Sequence, residues 1–455
     1  MSKLMISVAG IRGIVGDSLT PDIVTRYSAA FGKWLGGGLV ILGTDSRPSR
    51  NIVKQAAIAG LTAMRCDVQD LGIAATPTIQ LWVEKTSEAR GGIALTASHN
   101  PAGWNALKLF DGDGYFLDDE KGSAVQSIFQ SENSLSRGAK PARCRTVADP
   151  LQAHIDAALS CSLIDGKLIR NRQFKVAVDA VGGAGGPLVV RLLDALGCQV
   201  FPIDCEPTGQ FRRNPEPLPE ALSELSHTVV SQNADIGFAL DPDGDRLAIV
   251  DNTGKRVGEE YSVVAAADYV LRKRTGPVVV NLSTTQAVDD IAAKYHVPLY
   301  RSLVGESHVA KEMRKVGAVI GGEGNGGVMF PEIHTARDAA VGIALILQSL
   351  AEQRCSSSQL FSGLPQYTML KERVQLSEGA ASGILSELRA RWASVDLDTR
   401  DGLKRRMPEG WIQIRPSNTE PILRIFAEAR DATQAREYLK EALALIRSFT
   451  SEHIS

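Results

Sequence analysis

A serine beside a histidine follows a short apolar stretch of the chain. Ser98 and His99 lie in the sequence TASHNP, directly after residues 92–95. A serine where a strand runs into a loop exposes its hydroxyl, and the adjacent imidazole can accept a proton or orient a phosphate. Lys108, in the returning apolar segment, adds a cation or general base. The residues alone leave two interpretations, a nucleophilic serine loop and a polar turn closed by proline.

Three aspartates at alternate positions form the sequence DPDGDR after another apolar stretch. Asp241, Asp243 and Asp245 can converge on one divalent ion, because such hard oxygen ligands suit Mg²⁺ or Ca²⁺. An EF-hand would need Gly and Glu where this chain has Arg246 and Asn252, so a calcium sensor is excluded. An aspartyl phosphatase that uses the first aspartate as nucleophile is an alternative. The pattern favours a metal site over solvated acids.

Two further loops have side chains that suit a phosphosugar. In GGEGNGG, Glu323 and Asn325 can bind neighbouring hydroxyls while the glycines allow a ligand close to the backbone. This loop is not a P-loop, since no Lys-Ser/Thr pair follows. In RPSNTEP, a guanidinium, hydroxyls and an amide suit a phosphate oxyanion. The polar residues of that loop are Arg415, Ser417, Asn418 and Thr419. Each loop taken singly is also compatible with an ordinary turn.

The elements that must position these loops recur along the chain. Residues 38–72, 173–204 and 276–302 each follow the pattern strand, turn, helix, strand, which indicates a right-handed crossover onto a mostly parallel sheet. Each unit is followed by a strand that ends in the serine, aspartate or glycine-rich loop. Ligands of α/β sheets gather at strand ends, so we expect the three loops to face one cleft.

The pattern changes near residue 371, where a helix, two strands and a final amphipathic helix indicate a small α+β domain. The predicted fold class is therefore α/β, with three similar α/β domains of mixed sheets and a smaller α+β C-terminal domain around one central cleft. The predicted domains are I (1–148, serine loop), II (149–253, metal loop), III (254–366, sugar loop) and IV (367–455, phosphate loop).

Composition limits what the chain is expected to bind. Its 455 residues include 50 Lys and Arg against 52 Asp and Glu, so no global field favours nucleic acid or an anionic membrane. The six cysteines form no C-x-x-C pair, which argues against a zinc ribbon or a disulfide framework. The first residues lack the apolar core of a signal peptide, and no apolar run approaches the ~20 residues of a bilayer span. We expect a cytoplasmic protein with a small-molecule ligand.

Two other features are predicted to be structural. The glycine run 182–186 lacks G-x-G-x-x-G spacing, so it predicts close helix-to-sheet packing rather than a dinucleotide site. The histidines on polar or helical stretches have no metal-ligand spacing and are predicted to lie at the surface; they are His154, His227, His296 and His453.

Taken together, the loops are similar to those of one family. TASHNPAGWNALKLF, DPDGDR, GGEGNGG and RPSNTEP, with GIRGIVGD at 10–17, resemble the α-D-phosphohexomutases in order, spacing and domain content over essentially all 455 residues. The resemblance implies an intramolecular phosphotransferase (isomerase) that acts through a phosphoserine enzyme and a bound 1,6-bisphosphate. It implies Mg²⁺ as cofactor, a hexose or hexosamine 1,6-bisphosphate as activator, and a monomer or homodimer.

The resemblance also implies a role for each loop. Ser98 would carry the phosphoryl group. His99 and Lys108 would share the proton transfers at this site, which Arg12 would also line. The Ser98 phosphoryl group and three carboxylates would bind Mg²⁺, namely those of Asp241, Asp243 and Asp245. The substrate ligands would be Arg246 beside the metal loop, Glu323 and Asn325 on the sugar hydroxyls, and Arg415, Ser417, Asn418 and Thr419 on the phosphate.

The sugar loop bears on the choice of substrate. It has Asn325 and Gly327 where many bacterial relatives have Ser and His, and this form is similar to a subset assigned to phosphoglucosamine or phosphomannose conversion. We predict phosphoglucosamine mutase activity, glucosamine 6-phosphate to glucosamine 1-phosphate towards UDP-N-acetylglucosamine. Phosphomannomutase/phosphoglucomutase activity is the alternative. An aspartyl sugar phosphatase using Asp241 and a non-catalytic sugar-phosphate binding protein are alternatives of a different class.

Overall fold

Four sheets of seven, four, five and five strands organise the chain. The computed structural model describes residues 4–131, 142–376, 379–392, 396–417 and 422–452, with the side chains of 450–452 left out. The first three sheets are mixed and are covered by helices, whereas the fourth is antiparallel. This confirms the predicted fold class of three similar α/β domains and a different C-terminal domain.

The first sheet has a parallel centre and an antiparallel side. Its strands are β1 (Met5–Ser7), β2 (Gly10–Ile14), β3 (Gly38–Thr44), β4 (Cys66–Ile73), β5 (Ala89–Leu95), β6 (Trp104–Asp111) and β7 (Cys144–Thr146), in the order β1-β2-β6-β5-β3-β4-β7. The associated helices are α1 (Pro21–Leu35), α2 (Arg50–Ala63), α3 (Thr76–Lys85) and α4 (Asp119–Gln130). Strand β3 is parallel to β4 and β5, while β6 runs antiparallel to β5 and β2.

The second sheet is smaller. Its elements are α5 (Pro150–Leu159), α6 (Gly166–Arg172), β8 (Lys175–Asp179), α7 (Gly185–Ala195), β9 (Gln199–Ile203), a 3-10 turn (Pro219–Ala221), α8 (Ser223–Ser231), β10 (Ile236–Leu240) and β11 (Leu247–Asp251). The strand order is β11-β10-β8-β9, with β8 parallel to both β9 and β10. Strands β10 and β11 form an antiparallel hairpin.

The third sheet repeats this arrangement. Its elements are α9 (Glu260–Lys273), β12 (Val278–Asn281), α10 (Ala287–Lys294), β13 (Leu299–Ser302), α11 (Glu306–Val316), β14 (Ile320–Glu323), β15 (Gly327–Phe330), β16 (His334–Arg337), α12 (Ala339–Gln353) and α13 (Ser357–Ser362). Strand β12 is parallel to β13 and β14, and β14 turns back into antiparallel β15. A parallel strand followed by an antiparallel return therefore occurs in all three α/β units.

The fourth sheet packs against two helices. Its elements are β17 (Thr368–Gln375), α14 (Ala380–Arg391), β18 (Leu397–Asp398), β19 (Leu403–Met407), β20 (Gly410–Pro416), β21 (Ile422–Ala429) and α15 (Ala432–Glu452), with strand order β17-β21-β20-β19-β18. Apolar residues of α14 and α15 join Ile412, Ile414 and Ile425 of the sheet in a core of their own. Burial of this apolar face is the main force that holds the unit together.

The structure bears on two expectations from the sequence, those about disulfides and about membrane-spanning segments. All six cysteines are free. No helix in the described ranges combines the length and the apolar character that crossing a membrane requires.

The surface position predicted for His154 is wrong. The Nε2 atom of His154 lies 2.7 Å from Asp338 Oδ2, and Nε2 of His334 lies at the same distance from that oxygen. On the other side of the His154 ring, Nδ1 lies 2.9 Å from the hydroxyl of Thr78. All four side chains are buried, and they connect α3, α5 and the start of α12. The group has the composition of a metal site. The 2.7 Å separations are those of charge-assisted hydrogen bonds, so we interpret it as an interdomain contact.

This contact should make stability depend on pH. Burial raises the pKa of the Asp338 carboxyl, but His154 and the hydrogen bonds from both histidines outweigh it and hold the pKa well below its usual range. Such a group stabilises the fold above the unfolded pKa of ~3.9, and this contribution falls as the pH drops towards the folded pKa. We predict that Asp338→Asn, which can still cap α12, lowers the free energy of unfolding by about 1–3 kcal/mol at pH 7.

Denaturant titrations at pH 7 and pH 3 measure this effect. The matched control is Asp113→Asn, since Asp113 is exposed. The difference between Asp338→Asn and the wild type should shrink at the lower pH. Equal unfolding free energies for the two variants at pH 7 would contradict the assignment.

Candidate active site

Ser98 lies in the loop between β5 and β6, where the chain leaves the parallel part of the first sheet. Its backbone φ is 50°, a left-handed conformation that costs a residue with a side chain about 1–3 kcal/mol. Its hydroxyl donates a hydrogen bond to Asp241 Oδ2 at 2.9 Å, and His99 Nδ1 is 3.3 Å away. The structure therefore joins the serine loop of the first domain to the aspartate loop of the second.

Arg47, which the sequence analysis missed, holds the serine loop in this conformation. It is completely buried, and its Nε is 2.8 Å from Asp45 Oδ2. Its terminal nitrogens donate to the backbone carbonyls of Ser98, Asn100, Pro101 and Trp104. Asp45 also accepts from the hydroxyl of Thr96, which in turn accepts from the backbone N–H of Ser98. One guanidinium thus fixes most of the loop that carries the serine.

The three aspartates of the second domain converge beneath Ser98. Asp241, Asp243 and Asp245 are fully buried, and their carboxylates are close enough to share one ion. Within the described residues, nothing hydrogen-bonds Asp243 Oδ1 or Asp245 Oδ1. Burial and then the two neighbouring carboxylates raise the pKa of Asp241 well above its usual value. Orphaned hard oxygens in a cluster of acids fit a divalent cation.

Glycines give the aspartate loop its shape. Gly244 has a φ of 70°, which permits the tight turn between the aspartates. A Cβ at Gly183 would lie 2.5 Å from the carbonyl oxygen of Pro242, and one at Gly185 would lie 3.1 Å from Gly244 Cα. The glycine run at 182–186 therefore lets the start of α7 pack against the loop. This confirms the interpretation of that run as close packing.

Cations surround the junction of the two loops. Lys108, on β6, places its Nζ 2.6 Å from Asp243 Oδ2 and 3.8 Å from Asp245 Oδ2. Arg12, on β2, donates to the side-chain oxygen of Asn100 at 2.7 Å. Burial, followed by the charges of nearby arginines, lowers the pKa of His99 well below its usual value. The imidazole of His99 is therefore neutral at pH 7.

Glu323 ends β14 and is buried at the start of the glycine-rich loop. Its Oε1 accepts from Asn281 Nδ2 at 2.7 Å and from the backbone N–H of Gly305 at 2.9 Å. Burial raises the pKa of Glu323, but the charge of Arg337 and these hydrogen bonds outweigh burial. The net shift of the pKa is downward, so the group is a carboxylate. Asn325 lies beside it, with Nδ2 3.5 Å from Glu323 Oε2.

The predicted phosphate loop follows β20 in the fourth unit. Arg415 is buried, and its Nε lies 3.0 Å from Asp401 Oδ1. The backbone N–H of Ser417 donates to the carbonyl of Ile422 at 3.0 Å. Arg415 therefore lies near the end of β20 and Ser417 directly after it, whereas Asn418 and Thr419 lie outside the described residues.

A cavity of about 830 Å³ connects the second, third and fourth units. Arg246, Asn325 and Arg415 line it together, so the aspartate, glycine-rich and phosphate loops all reach one space. Its volume is typical of small-molecule pockets. The sequence analysis missed Glu216, which lines the same cavity and lies 2.8 Å from Arg246 Nη1.

Comparison with protein families gives matches along most of the chain. Models of phosphoglucomutase/phosphomannomutase α/β/α domains I, II and III match residues 4–136, 152–254 and 258–367. The model of the C-terminal domain of the same proteins matches residues 372–445.

Individual proteins resemble the chain over its full length. A phosphoglucomutase/phosphomannomutase of Thermococcus kodakarensis is 35% identical over 455 residues, covering 98% of this chain and 99% of the relative. A phosphoglucosamine/phosphogalactosamine mutase of Sulfurisphaera tokodaii is 32% identical over 459 residues, with 98% and 99% covered. The crystal structure of a phosphoglucomutase/phosphomannomutase family protein from Burkholderia thailandensis superposes with a TM-score of 0.86 at 26% identity, covering 98% of each chain.

The network around Arg47 leads to a prediction about stability. Arg47→Met removes the charge that pairs with buried Asp45 and leaves the carbonyls of the serine loop without their donor. We expect the free energy of unfolding to fall by about 3–5 kcal/mol, the usual cost of breaking a buried ion pair. Arg50→Met is the matched control, because Arg50 is half-buried and donates to the carbonyl of Ser46, in the turn that carries Arg47, rather than to the serine loop. Chemical denaturation measures the free energy of unfolding of both variants. Equal losses of this free energy would contradict the role assigned to buried Arg47.

Proposed function

Because the chain belongs to the α-D-phosphohexomutase superfamily, we propose that it interconverts the 6-phosphate and 1-phosphate of a hexosamine or hexose through a phosphoserine at Ser98. The observation that carries the proposal is the 2.9 Å contact between the Ser98 hydroxyl and Asp241 within the buried aspartate cluster. A phosphoryl group on this serine would lie next to a site for a divalent cation and next to Lys108. Phosphoryl transfer needs such positioning and charge neutralisation above all.

The aspartate cluster is assigned to Mg²⁺. Asp241, Asp243 and Asp245 would hold the ion, and their orphaned oxygens support this assignment. When bound, Mg²⁺ neutralises charge on the phosphoryl group that is transferred. Lys108 and Arg12 add positive charge from the first domain, so the acceptor oxygen approaches a phosphoryl group surrounded by cations.

Proton transfers are assigned to His99 and Lys108. When the substrate is phosphorylated, the O–P bond at Ser98 breaks, an O–P bond to a sugar hydroxyl forms, the sugar hydroxyl loses a proton and Ser98 Oγ gains one. Neutral His99 lies near Ser98 Oγ and can accept or return a proton. The Lys108 ammonium, held by Asp243, can supply one. The reverse transfer uses the same groups.

The remaining loops are assigned to the sugar and to the second phosphate. The Glu323 carboxylate accepts hydrogen bonds from sugar hydroxyls, with Asn325 beside it. The non-reacting phosphate would be bound by Arg415, Ser417, Asn418 and Thr419. One serine and one phosphate loop must serve both ends of a 1,6-bisphosphate, so the intermediate has to turn over between the two transfers. The cavity that Asn325 and Arg415 line together supports a site shared by the sugar and the second phosphate.

For the substrate we propose glucosamine 6-phosphate, with mannose and glucose phosphates as the alternative. The relatives named above include proteins of both activities. We also propose that the enzyme works in the cytoplasm as a monomer or homodimer, with a bisphosphate activator and without nucleic acid or membrane partners. The aspartyl phosphatase alternative is less well supported, because Asp241 is fully buried and its oxygens accept from Ser98 and from two backbone N–H groups.

Replacement of Ser98 tests the mechanism. We predict that Ser98→Ala lowers mutase turnover by a factor on the order of 10³ or more, because the phosphoryl carrier is removed. Mass spectrometry of the wild type should find an acid-stable phosphate on Ser98, whereas the phosphatase would give an acid-labile phosphate on Asp241. Exposed Ser123→Ala is the control and should retain wild-type turnover. Full turnover in Ser98→Ala would refute the proposal.

A substrate panel tests the specificity. In a coupled assay with Mg²⁺ and a bisphosphate primer, kcat/KM should be higher for glucosamine 6-phosphate than for mannose or glucose 6-phosphate. Removal of divalent ions with a chelator should abolish turnover, and added Mg²⁺ should restore it. A higher kcat/KM for mannose or glucose 6-phosphate would refute the proposed substrate but would be consistent with the proposed mechanism.

A further inference from the structure

Arg337 connects three carboxylates that come from different functional segments. It ends β16 and is buried. Its Nε lies 3.0 Å from Glu306 Oε2, one terminal nitrogen lies 2.9 Å from Glu323 Oε2, and the other lies 2.5 Å from Asp245 Oδ2. One guanidinium therefore contacts the aspartate loop, the sugar-reading glutamate and the start of α11.

Each nitrogen of this guanidinium has its own acid, so the planar fork fixes three side chains relative to one another. The far oxygen of Glu306 is also held, because Gln80 of α3 donates to it at 2.9 Å. A lysine carries the same charge but has a single nitrogen, so it cannot span three carboxylates in the same way.

The contacts of Glu323 show what Arg337 does for the sugar. A carboxylate has about four acceptor positions. Three of those of Glu323 already accept hydrogen bonds of 2.7–2.9 Å, from Asn281, the backbone N–H of Gly305 and Arg337. The remaining acceptor position faces Asn325 Nδ2 at 3.5 Å, the longest of these contacts and so the one that a sugar hydroxyl can take, and Arg337 keeps the carboxylate from rotating. Without Arg337, a second acceptor position would open and Glu323 would lose its fixed orientation.

The contact with Asp245 shows what Arg337 does for the metal loop. Arg337 occupies Oδ2, whereas Oδ1 has no hydrogen-bond partner among the described residues. The guanidinium thus leaves one oxygen of Asp245 available and sets its direction. The same charge offsets the repulsion between Asp245 and Glu323, two acids of separate loops.

We propose that Arg337 is a positioning residue that fixes the sugar-reading carboxylate of Glu323 and the metal-loop carboxylate of Asp245 in one geometry. The proposal rests on the mutase function for its kinetic part and on the structure alone for its metal-binding part. Arg337 touches neither the sugar nor the ion and acts through the two acids.

Arg337→Lys tests the proposal, because it keeps the charge and removes the fork. We expect the KM for the sugar phosphate to rise about tenfold, the effect of one lost charge-assisted hydrogen bond, with a smaller change in kcat. Calorimetric titration of the substrate-free protein with Mg²⁺ should show a dissociation constant raised at least threefold by the same reasoning. Arg337→Gln, which also removes the charge, should exceed Arg337→Lys in both effects.

A double-mutant cycle separates positioning from general destabilisation. If Arg337 acts through Glu323, the KM changes of Arg337→Lys and Glu323→Gln will not add. Arg272→Lys is the matched control, because Arg272 also pairs with a buried carboxylate, that of Asp268, but lies near the C-terminal end of α9. This control should leave both KM and Mg²⁺ affinity within twofold of the wild type.

Three results would overturn the proposal. One is a lower thermal midpoint in Arg337→Lys with unchanged KM and Mg²⁺ affinity. Another is strict additivity in the cycle. The third is loss of cooperative unfolding in both Arg337 variants, which would assign the residue to the fold. A wild-type protein without mutase activity would refute the proposed function instead, and the Mg²⁺ titration would still decide the coupling to Asp245.

Discussion

Buried negative charge is the constraint on which the architecture of the site depends. Five carboxylates lie in one buried region, those of Asp241, Asp243, Asp245, Glu306 and Glu323. Such a concentration is stable only when cations share the same space. Lys108 comes from the first sheet and Arg337 from the third. Arg246 adds a charge from within the unit of the aspartates, but these two cations come from outside it, so the complete site forms only when the three α/β units are assembled.

The units differ in how they are joined. The apolar residues of the second and third sheets form one continuous core, in which α12 packs against elements of both. The fourth unit has a core of its own and meets the third through polar contacts. Lys371 reaches Glu259 and Glu260, and Ser283 reaches Gln413. Polar contacts can exchange with water at lower cost than an apolar core can be opened, so the fourth unit is the most easily displaced.

The sequence was informative where chemistry and secondary structure coincide. The hairpins that carry Ser98 and the aspartates could be predicted because each loop directly follows an apolar strand. The roles of Arg47 and Arg337 could not be predicted, because both residues act through contacts with partners far along the chain. Arg337 and Asp245 are separated by 92 residues, and Arg47 and Ser98 by 51. His154 was misplaced for the same reason, since the sequence of α5 gives no sign that residues of other domains cover the histidine.

The recurrence of one hairpin in three sheets has an evolutionary consequence. Each hairpin presents its loop from a strand pair whose backbone hydrogen bonds do not depend on the residues of the loop. Mutations in one loop therefore leave the scaffold of the other two intact. The residues of the sugar loop that Arg337 does not contact can diverge while the phosphoryl-transfer residues stay unchanged. A repeated scaffold of this kind allows new specificities to arise by drift in a single loop.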